Sequence, residues 1–287
     1  MRFGLLSIPE GRQAVRDDGA MARAAGFDVL ATADHIRHPR DPDSPVLDGW
    51  SVLAAWAVTV EKLRLAVLVS NIIYRQPTVL AKQVVTIDQL SDGRVDIGIG
   101  AGVYPTDHAM SGTPMWSPSE RVSRLKEFVG AIDAALTGQS SFNGIYYRFA
   151  DAAVAPGTIQ RPRPPIVLGA VGPSMLRLTA EVADVWSAFG GMAIEDEETF
   201  FSVLAKQNEV LNHRCDEIGR DPRTLRRSLL AFRPLTPWRS RECFKRLAEH
   251  AHRLGFEELI LYMPSGLDEH KVFDEVATDV LPELRAV

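Results

Sequence analysis

The chain reads as an α/β protein, a closed parallel (β/α)8 or TIM barrel with insertions, and three observations carry that reading. Short runs rich in leucine and β-branched residues recur eight times along the 287 residues, each followed by a longer stretch of helical period. The runs are nearly continuous in apolar character, as strands buried on both faces require. An open parallel sheet of this size would leave two edges to protect, whereas a closed barrel leaves none. A doubly wound sheet is the alternative.

From the N-terminus, the expected strands are Phe3 to Ile8, Asp28 to Thr32, Leu63 to Val69, Val95 to Gly100, Ile166 to Gly169, Val185 to Phe189, Leu225 to Ala231 and Glu258 to Tyr262. After Pro77, Leu80, Val84, Ile87 and Leu90 form one helical stripe. Ser117-Pro118-Ser119-Glu120 supplies a capping serine, a proline at the first helical position and a glutamate three residues after the cap. Gly172-Pro173-Ser174 opens a helix over Met175 to Ala183, and Ser240 precedes the stripe Phe244, Leu247, Ala251 and Leu254. Two segments fall outside the repeat. Ile36 to Leu47, rich in Pro, Asp and Arg, leaves the carboxyl end of the second strand and is expected to be a lid. Phe142 to Arg163 follows a helix instead, carries the turn pair Asn143-Gly144, and is read as a partly structural hairpin or loop.

Composition narrows the function. With 46% hydrophobic and 24% charged residues the chain excludes disordered, collagen-like and membrane-spanning classes, and it is expected to form one domain over residues 1–287. A net charge of −5 argues against nucleic acid or an anionic membrane as the partner and leaves a small molecule. Cys215 and Cys243 stand far apart, which suggests neither a disulfide framework nor a thiolate metal site. The apolar start, Phe3 to Ile8, is short for a signal peptide, so a cytoplasmic location is expected.

Barrel active sites form at the carboxyl ends of the strands. Those ends hold Ala33-Asp34-His35, Leu68-Val69-Ser70-Asn71, Gly98-Ile99-Gly100-Ala101-Gly102, Gly169 to Ser174, and Phe189-Gly190-Gly191. The glycine string lacks the spacing of a dinucleotide fingerprint, and Pro105 follows it where a helix start would be needed. It is read as backbone open to a flat ring or a phosphate, with interior packing as the alternative. Gly172-Pro173-Ser174 places free N–H groups and a positive helix end together, which suits a phosphate; an ordinary cap is the alternative. His35 suits proton transfer by residue type and location; a structural histidine that caps the lid is the alternative. No metal is expected, because Asp34, His35, His38 and Asp41 share no fixed element and a third strong ligand is missing. Ile36, Tyr74, Trp116, Met192 and Trp238 suggest an uncharged or partly apolar substrate, with packing as the alternative for each, while Arg37, Arg40 and Arg233 keep an anionic one open.

Asp34-His35, Leu47-Asp48-Gly49-Trp50, Leu63 to Val67, Arg75-Gln76-Pro77, Leu90-Ser91-Asp92-Gly93-Arg94, Gly98 to Gly102 and Gly172 to Leu178 together resemble the ordered motifs of the luciferase-like monooxygenase superfamily, over nearly the whole chain. The resemblance implies an α/β barrel that uses FMN or the deazaflavin coenzyme F420. The Asp-His pair and Gly172-Pro173-Ser174-Met175-Leu176-Arg177 look more like the F420 branch. It further implies a homodimer, a ring beside Asp34 and His35 as catalytic candidates, and cofactor contacts from Leu68, Val69, Ser70, Gly100, Ala101, Gly102, Val103, Thr106, Ala170, Val171, Gly172, Pro173 and Ser174. A non-proline cis peptide is expected between Leu68 and Val69. One departure stands out: some deazaflavin sugar-phosphate dehydrogenases carry a proton-donating glutamate after the glycine string, and Val103 occupies that position here. The expected function is an F420-dependent oxidoreductase moving a hydride to or from a small organic substrate. An FMN-dependent monooxygenase is the alternative, and a flavin-binding protein without turnover is the third reading.

Overall fold

The structure is a computed structural model that describes residues 1–38 and 41–286. Along the chain run β1 (Arg2–Ser7), α1 (Arg12–Ala24), β2 (Val29–Thr32), α2 (Gly49–Thr59), β3 (Arg64–Asn71), α3 (Pro77–Leu90), β4 (Val95–Gly100), α4 (Pro105–Ser111), α5 (Pro118–Leu136), β5 (Phe142–Asn143) and β6 (Arg148–Phe149). They are followed by β7 (Ile166–Gly169), α6 (Pro173–Val182), β8 (Val185–Ala188), α7 (Glu197–Glu217), β9 (Arg226–Ala231), α8 (Arg241–Arg253), β10 (Glu258–Tyr262), α9 (Gly266–Glu275) and α10 (Leu281–Ala286). Eight strands close a parallel barrel in the order β1-β10-β9-β8-β7-β4-β3-β2, and β5 pairs with β6 alone. All eight expected strands are therefore present. The third runs on through Asn71, which makes Ser70 and Asn71 strand residues. Among the described residues no helix is long and apolar enough to cross a membrane.

The contact pattern divides the chain into two compact units. The first comprises Met1–Ser7, Asp18–Leu30 and the chain from Gly169 onward. Within it β1, β10, β9 and β8 pair in parallel, with Phe3 opposite Leu259, Leu259 opposite Leu229, and Ser187 opposite Ser228. The α8 stripe is buried through Phe244, Leu247 and Ala251, each large side chain contributing about 1.5–3 kcal/mol. Ser240 caps that helix by accepting from the Cys243 N–H at 3.2 Å. Trp238 packs on Phe244 and Phe273 and donates to the Tyr262 carbonyl at 2.7 Å. It is a core residue, so of the two readings left open for it the packing one holds.

The second unit comprises Ile8–Asp17 and Ala31–Leu168. Here β3, β4 and β7 pair in parallel, and the β3–β4 register shifts between Val67 and Ser70. In α3, Leu80, Val84 and Ile87 are buried as the stripe requires, but Leu90 at its end is exposed. Ser117 caps α5 at the Glu120 N–H, 3.2 Å away, whereas the Glu120 carboxylate pairs forward with Arg124. The capping box is thus half formed. Pro105 does open a helix, α4, contrary to the sequence reading; proline at the first position needs no N–H partner. The hairpin strands hold two residues each, too few to stand alone. Glu127 of α5 supports their turn by accepting from the N–H groups of Ile145, Tyr146 and Tyr147 at 2.8, 2.6 and 2.5 Å.

Candidate functional site

Where β2, β3 and β4 end in the second unit, a group of polar side chains meets. Asp34 follows β2 by two residues and is 2% exposed. A carboxylate there needs donors. It accepts from Arg75 Nε at 3.0 Å and Nη2 at 2.6 Å, and from the Asn71 backbone N–H at 3.1 Å. Arg75 Nη2 also reaches Asp48 at 2.6 Å. Burial alone would push the Arg75 guanidinium down; its bonds to Asp34 and then Asp48 outweigh this and hold it above its ordinary value. Asp48 caps α2 through the Ser51 N–H and hydroxyl at 2.8 and 2.7 Å. Burial raises that carboxyl, but the bonds from Ser51 and Arg75 prevail and keep it low.

Asn71 links this pair to a second one. Its Nδ2 donates to Asp107 Oδ2 at 2.8 Å, and its Oδ1 accepts from the Ile73 N–H at 3.1 Å. Asp107, 1% exposed on α4, faces His35 Nδ1 at 3.2 Å. The His35 side chain is 18% exposed, its ring lies edge-on to Tyr104 at 5.1 Å between centroids, and Nε2 has no hydrogen-bond partner among the described residues. Tyr74 donates to the Asp34 carbonyl at 2.5 Å; burial, and then the charges of Asp34 and Asp107, push its phenol well up. Tyr74 is therefore a neutral donor within the site.

The structure brings His35 and Asp34 into one network, but with different surroundings: His35 reaches solvent, while Asp34 is closed in by Arg75 and Asn71. The peptide between Leu68 and Val69 is cis, as expected. Leu68 and Val69 are half-buried, and buried Ser70 accepts from the Trp50 indole at 3.0 Å. The glycine string has a packing cause. A Cβ on Gly98 would collide with the Val67 carbonyl oxygen, one on Gly100 with the Val69 side chain, and one on Gly102, at φ +70°, with Ile73. These collisions give the string a packing role on its Cβ side, whatever its backbone faces. Val103 and Thr106 are exposed, Ala101 is half-buried, and Gly102 is buried.

In the first unit, Gly172 precedes α6, with Pro173 at the first helical position and no side chain capping the helix. Nothing lies within 4 Å of where a Gly172 Cβ would stand. Pro173 and Ser174 are exposed, Val171 is half-buried, and Ala170 is buried. The Trp186 indole donates to the Ala170 carbonyl at 3.0 Å, and Gln207 Nε2 donates to the carbonyls of Val171 and Gly190 at 3.2 and 3.0 Å. Gln207 thus ties together the ends of β7 and β8.

Asn71, Asp107, Arg75 and Gln207 have no assigned role in the sequence reading. Asn71 and Arg75 do stand in segments singled out for other reasons, and a polar residue ending an apolar strand was the available signal. Other expectations shift. Trp116 is buried, with Arg124 over its ring at 4.4 Å and His108 edge-on, so it packs and does not line a lid. Ile36, Met192 and Arg233 are exposed. Arg37 donates to the Pro42 carbonyl at 2.9 Å, and His38 Nδ1 accepts from the Asp41 N–H at 2.9 Å. Arg40, within the expected lid, lies outside the described residues.

The sequence model of luciferase-like monooxygenases matches residues 2–232. An F420-dependent glucose-6-phosphate dehydrogenase of Beutenbergia cavernae is 31% identical over 192 residues, 65% of this chain and 55% of that protein. An FMNH2-dependent dimethylsulfone monooxygenase of Pseudomonas putida is 32% identical over 120 residues, 42% of this chain and 33% of that protein. In fold the chain is similar to the coenzyme F420-dependent tetrahydromethanopterin reductase of Methanopyrus kandleri, with a TM-score of 0.78 and 18% identity over 98% of this chain and 99% of that one.

Proposed function

The chain belongs to the luciferase-like monooxygenase family, and from that premise we propose that residues 1–287 act as one domain, an F420-dependent oxidoreductase that moves a hydride to or from a small organic substrate. The observation that carries the reading is His35: partly exposed, backed at Nδ1 by a buried carboxylate, and with Nε2 unengaged among the described residues. An acid–base group beside a redox ring needs that balance of support and access.

The residues fit such a cofactor. The first turn of α6 has no side-chain cap and open space at Gly172, which suits a phosphate held by Ala170, Val171, Gly172, Pro173 and Ser174. In the second unit, Leu68, Val69, Ser70, Gly100, Ala101, Gly102, Val103 and Thr106 are the proposed ring-side residues. When bound, the deazaflavin supplies the hydride acceptor or donor. His35 takes or returns a proton at Nε2. Asp34, locked by Arg75, holds the end of β3 through the Asn71 N–H and is read as a positioning residue. Val103 supplies no acid, and the Asp107-backed His35 stands in for one, which argues against binding without turnover. FMN with dioxygen is the second reading, favoured by the relative from Pseudomonas putida. The proposal includes a homodimer, supported by family resemblance, and a cytoplasmic location.

Equilibrium binding of F420 and of FMN to the purified protein, side by side, tests the cofactor. F420 is expected to bind at least about tenfold tighter, about 1.4 kcal/mol. Tighter FMN binding with dioxygen-dependent turnover would reverse the two readings. His35→Ala is expected to lower turnover about a hundredfold while cofactor affinity stays within severalfold.

A further inference from the structure

We propose that Asn71 and Asp107 are positioning residues that hold His35 in the tautomer protonated at Nδ1, so that Nε2 is presented bare. The choice of Nε2 as the working atom rests on the proton-transfer role proposed for His35; the tautomer rests on the hydrogen bonds together with Asp107 in its carboxylate form.

One group in the network has no freedom. The Ile73 backbone N–H can only donate, so the Asn71 atom 3.1 Å from it is the amide oxygen. That settles an orientation otherwise ambiguous for an asparagine. The opposite end of the same amide is then the NH2 group, and it donates to Asp107 Oδ2 at 2.8 Å. The Asn71 backbone is fixed as well, because its N–H is held by Asp34, which Arg75 grips with two bonds. Asp107 accepts from Asn71 and faces His35 Nδ1 at 3.2 Å with the same oxygen. An ionised carboxylate has nothing to donate, so the hydrogen between them belongs to Nδ1. A neutral imidazole carrying its hydrogen there has only a lone pair at Nε2.

The chain Arg75, Asp34, Asn71, Asp107, His35 therefore alternates donor and acceptor without a break. When His35 takes one proton at Nε2 it becomes an imidazolium whose other N–H already meets a buried carboxylate. No atom needs to turn as the charge appears. The arrangement does for His35 what a third group does for the histidine of a nucleophile–base pair.

Ring nitrogen–proton correlation spectra of the protein labelled with 15N-histidine, at neutral pH and without cofactor, read the tautomer directly; His35→Gln assigns the signal. Wild-type His35 is expected to carry its proton on Nδ1. Asp107→Asn keeps an acceptor oxygen between Asn71 and His35, so the tautomer should survive while kcat falls. Asp107→Ala should mix in the Nε2-protonated form and lower kcat about a hundredfold, with KM and cofactor Kd within severalfold. A wild-type protein protonated on Nε2 would overturn the proposal with no variant needed, and so would an unchanged tautomer in folded Asp107→Ala. The expected tautomer together with undiminished turnover of His35→Gln would overturn the proton-transfer role alone.

Discussion

Replacing Arg75 with leucine should be among the more damaging single changes in the second unit. The Asp34 carboxylate, 2% exposed, would keep only the Asn71 N–H at 3.1 Å after losing donors at 3.0 and 2.6 Å. A buried charge stripped of its partner costs about 3–5 kcal/mol. Asp34→Asn should be milder, about 2–3 kcal/mol, because hydrogen bonds to a charged group contribute about 1.5–3 kcal/mol and the guanidinium keeps Asp48 at 2.6 Å. Asp48 is 46% exposed, so Asp48→Ala loses a screened ion pair worth at most about 1 kcal/mol and a helix cap worth about 1 kcal/mol. The double variant Asp34→Asn/Arg75→Leu should lose less than the sum of its parts, since both changes remove one interaction. Urea unfolding followed by circular dichroism measures each loss as a shift in midpoint at constant slope. Arg75→Leu within about 1 kcal/mol of wild type, or simple additivity in the double variant, would refute the account of Asp34 as a holding group.

Three further outcomes are expected. Gly98→Ala should destabilise by about 1–3 kcal/mol, because its Cβ meets the backbone oxygen of Val67; a wild-type Tm would sink the packing explanation. Gly172→Asp sits in open space at φ −83°, so stability should stay within about 0.5 kcal/mol while cofactor affinity drops by about tenfold or more; unaltered affinity would move the phosphate site elsewhere. His250, stacked on Phe201 at 3.7 Å, is held below its ordinary value of 6.5 first by burial and then by Arg253. Between 6.5 and that lowered value the unfolded chain binds more protons than the folded one, so stability should fall as pH drops through this window. His250→Phe should flatten that fall, and an unchanged pH profile of unfolding would show that His250 does not cause it.

Eight strands were legible because burial on both faces leaves a local trace, a run of Val, Ile and Leu that needs no knowledge of the rest of the chain. The caps at Ser117 and Ser240 were legible for the same reason. The polar network was not. Asp34, Asn71, Arg75 and Asp107 span three strand ends, and only the neighbouring places of β2, β3 and β4 in the sheet bring them together; no periodicity connects residues 36 or 37 positions apart. Asp107 was further hidden by Pro105, which reads as a helix breaker until its place at the first helical position is seen. His35 was found because its residue type carries chemistry alone, whereas Asn71 matters only through what touches it.

The fit between Gly98, Gly100 and β3 has a bearing on how the barrel assembles. Strands buried on both faces are apolar whichever way a side chain points, so burial alone separates neighbouring alignments less sharply than an alternating strand would. Sliding β4 by one residue in either direction would set Ile97 or Ile99 where Gly98 now clears the Val67 carbonyl. The glycines act as notches in a key. They admit one alignment of the two strands and reject its nearest rivals by steric collision, so the strand ends that carry Asn71 and the α4 loop arrive in step with each other before any ligand is there to guide them.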